Sequence, residues 1–203
     1  MSATANQTDT CSADRSTSES PRLVPIEEPD SWKTRLAYTF ARWQQGTVIT
    51  TLKVVWARLP EGLRHAYETN KLEDRLALDP ELHLLVKELV ATINGCAFCQ
   101  DIAVAEAPTE DLPREKLEAL PEYRTHPAFD DAERAALTYA EEATCEVTVA
   151  DNTFEALRPH FSEREIVEIT WLVALENYYN RINRPLGIGS DDLCEVQPGA
   201  SDN

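Results

Sequence analysis

Two cysteines with two residues between them, Cys96 and Cys99, carry the clearest chemical signal in the sequence. They follow Asn94-Gly95, a turn-forming pair, so we expect a new helix to begin at or just before Cys96. Both sulfurs then lie in the first turn and a half of that helix. There the unpaired backbone N–H groups and the helix dipole can lower a thiol pKa from about 8.5 to between about 3.5 and 7.5. This position at the start of a helix therefore makes a thiolate at neutral pH possible.

The same spacing places both sulfurs on one helix face, close enough to form a small disulfide after one of them is oxidised. By helix position alone, Cys96 gains more thiolate character, and Cys99 lies deeper as the better shielded partner. Two inert buried thiols and half of a metal site are the alternatives. Zinc takes about four N or S ligands, usually from short-spaced pairs. The four histidines are isolated from one another in sequence: His65, His83, His126 and His160. We therefore expect neither a metal nor a cofactor.

The composition is that of an acidic globular protein. Its 203 residues suffice for one sizeable domain. The 36 acidic residues exceed the 19 basic ones, and the net charge of −17 argues against nucleic acid as a partner, because phosphate binding needs a basic stripe. No apolar run reaches the roughly 20 residues of a membrane span, and the first residues lack the apolar stretch of about 7–15 residues in a secretory signal. We therefore expect a cytoplasmic protein without a membrane partner.

The elements that must position the cysteines are all predicted to be helices. From Trp32 onward, apolar residues recur with helical spacing, and no alternating run is long enough for a strand. Residues 1–28 have the composition of a disordered arm, 29–190 form a single all-helical domain, and 191–203 form a C-terminal tail. Start and stop signals place helices at about 31–43, 48–59, 60–70, 80–93, 96–106, 113–120, 130–145, 151–160 and 162–183.

The last of these helices carries a polar and aromatic cluster on an otherwise apolar background. Its members could line a pocket or an oligomer interface, since interface cores select aromatic residues and arginine. We interpret them as structural or interface residues rather than catalytic ones. They are Glu176, Asn177, Tyr178, Tyr179, Asn180, Arg181 and Asn183.

Three segments carry a resemblance to a known family. They are ELVATINGCAFCQDIAVAEA from Glu88, ERAALTYAEEAT from Glu133 and FSEREIVEITWLVALENYYNRINRPLGI from Phe161. The first resembles the core motif of the carboxymuconolactone decarboxylase-like and alkylhydroperoxidase D-like superfamily, and the others are similar to the last helices of its longer members. The resemblance covers roughly residues 48–188. It implies a helical bundle that assembles into dimers, trimers or hexamers. It also implies a peroxidase-type activity in which Cys96 and Cys99 cycle between dithiol and disulfide.

Two positions depart from the superfamily motif. Its His, four residues after the second Cys, falls at Ala103, and the Glu of its proton relay, twelve residues before the first Cys, falls at Leu84. Neither side chain can exchange the protons that a thiolate cycle needs. Glu88, one helical turn after Leu84 on the same face, could substitute if the turn folds the helix back toward the cysteines. A solvated position on the helix surface is the alternative for Glu88.

The sequence therefore predicts a thiol-dependent oxidoreductase that reduces a hydroperoxide or another small oxidant through Cys96 and Cys99. An unknown dithiol reductant would restore the thiols. A non-enzymatic oligomer with inert or sensory cysteines and a decarboxylase-like lyase are the alternatives. The retained C-x-x-C favours redox chemistry, because the decarboxylase branch of the superfamily works without the thiol pair.

Overall fold

The chain folds into a bundle of α-helices, which confirms the predicted all-α class. The computed structural model describes residues 20–107 and 112–193. No strand occurs among these residues. A π-helical segment spans Leu52–Trp56, and short 3₁₀ turns span Leu120–Glu122 and Arg184–Leu186. The α-helices are α1 (Trp32–Gln45), α2 (Pro60–Glu73), α3 (Pro80–Ile93), α4 (Ala97–Glu106), α5 (Arg114–Glu118), α6 (Asp131–Glu146), α7 (Asp151–Leu157) and α8 (Glu163–Asn183).

Helices α3 and α8 form the centre of the bundle. Helix α3 packs against α4, α6 and α8, and α8 also packs against α6. The apolar side chains of Leu85, Val86 and Val90 on α3 are fully buried, as are Ile169 and Leu172 on α8. Burying each such side chain contributes about 1.5–3 kcal/mol, so this central pair supplies much of the stability that holds the site in place. None of the described helices combines the length and apolar character needed to cross a membrane.

The helix ends follow the signals in the sequence. Ser162 and Glu165 form the predicted capping box at the start of α8: each side chain accepts a hydrogen bond from the backbone N–H of the other residue. The side chain of Asp79 accepts hydrogen bonds from two N–H groups in the first turn of α3. Gly46 ends α1 with a φ of 74°, in the left-handed region that favours glycine. Local capping therefore fixes both central helices at their N-termini.

The second predicted helix, at about 48–59, is shorter than expected and contains the π-helical segment. Its inward side chains Leu52, Val54 and Trp56 are buried. Trp56 lies directly against Gly62 in α2, where an added Cβ would stand 2.4 Å from the indole ring. The close approach of α2 thus requires glycine at position 62. Wider π turns of this kind interrupt a regular helix, and the apolar pattern alone did not show one here.

Contacts extend beyond the predicted domain boundaries of 29–190 at both ends. Near the N-terminus, the backbone N–H of Arg22 donates to the carbonyl of Leu186 at 2.8 Å, and that of Ile26 donates to Lys53 at 3.1 Å. Near the C-terminus, the Asp191 carboxylate accepts from Thr50. Residues 20–28 and 191–193 are therefore held against the bundle. The rest of the predicted arm and tail, 1–19 and 194–203, lies outside the described residues.

One buried carboxylate ties α8 to the loop before α3. Glu168 Oε2 accepts the backbone N–H groups of Ala77 and Leu78, both at 2.9 Å, and Oε1 accepts Arg164 Nε at 2.7 Å. Because Glu168→Ala leaves two backbone donors without their acceptor, we expect it to lower the free energy of unfolding by about 2–3 kcal/mol. Urea denaturation measures the loss, with the exposed Glu163→Ala as the control. Equal losses in the two variants would contradict the expectation.

Candidate active site

The cysteine pair lies at the turn between α3 and α4. Asn94 ends α3, and Gly95 adopts a φ of 63°, which reverses the chain in the left-handed region. The backbone N–H of Cys96 then donates to the carbonyl of Ala91 at 2.8 Å, and Cys96 becomes the N-cap of α4. The predicted helix start at Cys96 is therefore confirmed, and Cys99 lies in the first turn of α4.

The two cysteines are joined as a disulfide, with their Cα atoms 5.3 Å apart. They belong to an apolar cluster with Val54 from the π-helical segment, Phe98 from α4 and Ile188 after α8. Cys96 has no exposed surface, whereas Cys99 is 8% exposed. Both residues are therefore buried, and the small exposed fraction belongs to Cys99, the residue expected from helix position to be the better shielded of the two.

Two side-chain amides from the end of α8 are directed at the same sulfur. Asn180 Nδ2 lies 3.1 Å from Cys99 Sγ, and Asn183 Nδ2 lies 3.7 Å from it. Both amides are oriented by other hydrogen bonds, since Asn180 Oδ1 accepts from Asn94 Nδ2 at 2.7 Å and Asn183 Oδ1 accepts from Thr51 Oγ1 at 2.9 Å. N–H groups that face a sulfur stabilise its thiolate form and lower its pKa. This arrangement favours Cys99 as the thiolate of the reduced pair.

The sequence interpretation of these α8 residues as structural or interface residues is therefore incomplete. The signal that was available is their spacing, because Asn177, Asn180 and Asn183 recur every three residues in the last part of α8. Such spacing places the three amides along one helix face. What the spacing could not show was that this face meets the cysteine turn.

Two buried carboxyl groups, one on α8 and one on α3, have raised pKa values. Burial raises the pKa of Glu176 on α8 to about 7, although the charge of Lys87 and the hydrogen bond from Asn180 oppose the rise. Burial also raises the pKa of Glu88 on α3 to about 8, against a hydrogen bond from Thr92, and the charge of Glu176 adds to this rise. Both groups can therefore hold or release a proton near neutral pH, which an ordinary carboxyl cannot.

The predicted catalytic substitute, Glu88, is buried rather than solvated. Its Oε1 accepts from Thr92 Oγ1 at 3.2 Å, and its Oε2 is buried with no hydrogen-bond partner among the described residues. Among the described residues, the hydrogen-bond partner of Glu88 is therefore Thr92 rather than either cysteine sulfur. Leu84 and Ala103, at the positions of the superfamily Glu and His, are both buried in the main apolar core. Among the described residues, the amide of Asn180 links the Glu176 carboxyl to Cys99 Sγ through two hydrogen bonds.

A cavity of about 440 Å³ lies beside α3. Within it, Glu73 Oε2 accepts from Lys87 Nζ at 2.8 Å and lies 3.1 Å from His83 Nε2. Burial disfavours the charged form of Lys87, but the carboxylates of Glu73, Glu106 and Glu176 outweigh it and raise the pKa of this ammonium. No group of three or more potential ligands for a metal ion occurs among the described residues. The cavity is lined by Asn70, Glu73, Asp74, Leu76, Leu78, Pro80, His83, Leu84, Lys87 and Glu106.

The helical bundle and the C-x-x-C turn agree with the family that the chain matches. The chain belongs to the carboxymuconolactone decarboxylase family, whose profile matches residues 61–142. It is 33% identical to the uncharacterized protein YnjA of Escherichia coli (strain K12), over 86% of this chain and 93% of YnjA. The family expected from the cysteine motif is thus confirmed.

Solved structures share the fold. A protein of unknown function from Agrobacterium tumefaciens, proposed to be the antioxidant defence protein AhpD, is 30% identical with a TM-score of 0.62, over 68% of this chain and 96% of that chain. The debrominase Bmp8 in its apo form has a TM-score of 0.70 at 19% identity, over 85% of this chain and 96% of that chain. The second likeness shows a common fold only.

Proposed function

We propose that this protein is a thiol-dependent oxidoreductase that reduces small hydroperoxides through Cys96 and Cys99. The observation that carries the proposal is the bonded cysteine pair with amide N–H groups from α8 directed at Cys99 Sγ. A pair held only for stability needs no such donors, since a disulfide carries no charge. Donors at a sulfur matter most when that sulfur is a thiolate, which is the reactive form.

In the proposed cycle, the Cys99 thiolate attacks the terminal oxygen of the hydroperoxide and the O–O bond breaks. The leaving alkoxide takes up a proton and departs as an alcohol, and Cys99 becomes a sulfenic acid. The Cys96 thiol loses its proton and attacks the Cys99 sulfur, so that water leaves and the disulfide forms. An external dithiol then returns two electrons and two protons by thiol–disulfide exchange.

The cycle needs groups that exchange protons, and Glu88 with Glu176 fits this requirement. At neutral pH, the raised pKa values leave protons on this buried pair. Glu88 makes no described hydrogen bond to a sulfur, so we assign it to a proton reserve behind Glu176 rather than to a group that touches the reacting atoms. This assignment replaces the role that the superfamily Glu and His would play at Leu84 and Ala103.

The same proposal includes the partners, the location and the assembly of the protein. The substrate is a small hydroperoxide, the electron donor is a dithiol reductant, and the protein works in the cytoplasm as a homo-oligomer. The slight exposure of Cys99 suits a small oxidant better than a bulky one. The Agrobacterium relative, proposed to serve antioxidant defence, supports the same direction of chemistry.

Stoichiometric oxidation tests the proposal directly. In a background with Cys11, Cys145 and Cys194 replaced by serine, the reduced protein is mixed with hydrogen peroxide or cumene hydroperoxide. We expect each chain to consume one peroxide and to lose both remaining thiols, and a dithiol reductant to make the reaction catalytic. The Cys96→Ser, Cys99→Ser double variant is the control. Equal peroxide consumption by the parent and this control would rule out the thiol mechanism.

A further inference from the structure

The side-chain amide of Asn180 is held by three polar partners at once. Its Nδ2 donates one hydrogen to Glu176 Oε1 at 2.6 Å and directs the other at Cys99 Sγ at 3.1 Å. Its Oδ1 accepts from Asn94 Nδ2 at 2.7 Å. Both the donors and the acceptor of the amide are therefore in use, and all of these contacts are buried or partly buried. A side chain with this many directed bonds has one favoured orientation.

Glu176 opposes the alternative orientation of this amide. Once Glu176 is ionised, above its pKa of about 7, turning the amide over would place Oδ1 of Asn180 against the carboxylate and against the Cys99 thiolate, so that acceptor would face acceptor. A hydrogen bond to a carboxylate is also stronger than one between neutral groups. Asn94 holds the opposite side of the amide, but its Nδ2 is shared with Asn177 Oδ1 at 3.1 Å. The carboxylate is therefore the stronger of the two anchors.

We propose that Glu176 is a positioning residue that keeps the Asn180 N–H directed at Cys99 and thereby sets the acidity of the Cys99 thiol. The inference rests on the proposed function, because that function gives the acidity of the Cys99 thiol its purpose. The thiol acidity itself can be measured without any peroxide. Glu176 acts through Asn180 and does not touch the sulfur.

Charged groups from three helices surround Glu176 and affect the same equilibrium. Lys87 and Glu88 lie on α3, Glu73 lies on α2 and Glu106 lies on α4. Through space alone, a negative Glu176 disfavours a second negative charge at Cys99 and raises the pKa of that thiol. Through Asn180, the same carboxylate orients an N–H donor toward Cys99 Sγ and lowers the pKa of the Cys99 thiol. The two effects have opposite signs, so one substitution separates them.

The deciding variant is Glu176→Leu, made with Cys96, Cys11, Cys145 and Cys194 replaced by serine so that Cys99 is the remaining thiol. The pH dependence of its alkylation by iodoacetamide gives the pKa of Cys99. If Glu176 positions Asn180, we expect the variant to raise this pKa by about 1–2, or roughly 10- to 100-fold less thiolate near neutral pH. If Glu176 acts by charge alone, the pKa falls, and the proposal is overturned.

Asn180→Leu is expected to raise the pKa of Cys99 by a similar amount, since it removes the donor itself. In that background, Glu176→Leu should no longer raise the pKa, because the side chain through which it acts is gone. The matched control is Asn177→Leu, one turn earlier on α8, whose amide contacts Asn94 and Thr144 rather than a sulfur. A shift with Asn177→Leu as large as that with Asn180→Leu would also overturn the proposal.

Circular dichroism establishes that each variant is folded before alkylation. If Glu176→Leu does not fold, Glu176→Gln keeps the size of the side chain and is compared in the parent and Asn180→Leu backgrounds. A different effect on the pKa of Cys99 in the two backgrounds supports positioning, and an equal effect contradicts it. Peroxide reduction is measured separately: failure of that reaction with a normal pattern of pKa values would contradict the proposed function and leave the positioning role supported.

Discussion

Cys99→Ser is expected to abolish peroxide reduction, whereas Cys96→Ser is expected to complete a single reduction and then stop. Cys99 is the slightly more exposed residue of the pair, and its sulfur faces the amides of Asn180 and Asn183. Without it, no stabilised thiolate is available for attack on the peroxide. Without Cys96, the attack still occurs, but no second thiol is present to displace water from the sulfenic acid.

Mass spectrometry of the two variants after one equivalent of peroxide distinguishes these outcomes. The Cys96→Ser protein should gain a single oxygen atom, located on Cys99 by trapping with dimedone. The Cys99→Ser protein should remain unmodified at Cys96 over the same time, with a rate loss of at least roughly 100-fold if the thiolate there is not stabilised. Oxidation of Cys96 in preference to Cys99 would reverse the assigned roles and restore the order expected from helix position.

The local sequence was sufficient for the fold class and the cysteine turn. Capping residues such as Ser162 and Asp79 act within three residues of their partners, and the Asn94-Gly95 turn is adjacent to Cys96. Such signals depend on neighbours along the chain, so they can be recognised without a structure. The C-x-x-C spacing likewise indicated that the two cysteines lie close enough to form a disulfide.

The environment of the cysteines could not be predicted in the same way. Asn180 and Cys99 are 81 positions apart in the sequence, and their contact depends on how α8 packs across the turn between α3 and α4. Helix position alone pointed to Cys96 as the thiolate, because it accounts for the dipole and N–H groups of α4 but not for donors from another helix. A tertiary contact therefore changed the expected order of the two thiols.

The choice of Glu88 shows the same limit. Glu88 was predicted from its place on α3, because the superfamily Glu would fall at Leu84 and Glu88 is one turn away. The structure buries Glu88 instead of leaving it solvated, yet a second carboxyl, Glu176 on α8, is the one that accepts the hydrogen bond from Asn180. A pattern within one helix cannot reveal a partner contributed by another.

Glu88→Gln is expected to stabilise the folded protein above pH 5 by an amount that increases with pH to a few kcal/mol at pH 8. The folded-state pKa of Glu88 is about 8, well above the ordinary carboxyl value of 4.5. As the pH rises between these two values, the unfolded chain releases the proton and the folded chain keeps it. Stability therefore falls by up to about 1.4 kcal/mol per pH unit, and the loss levels off above the folded pKa. Glutamine cannot ionise, so the Glu88→Gln variant lacks the part of this stability loss that Glu88 causes.

Urea denaturation of the disulfide form at pH 5, 6, 7 and 8 measures the profile. Glu176→Gln is the comparison, because the pKa of Glu176 is about 7 and its share of the loss should level off at a lower pH than that of Glu88. Because each carboxyl raises the free energy of ionising the other, the double variant should differ from the sum of the single ones. If Glu88→Gln and the parent lose stability equally from pH 5 to pH 8, then Glu88 is already ionised in the folded protein. It could then hold no proton in reserve for the cysteines.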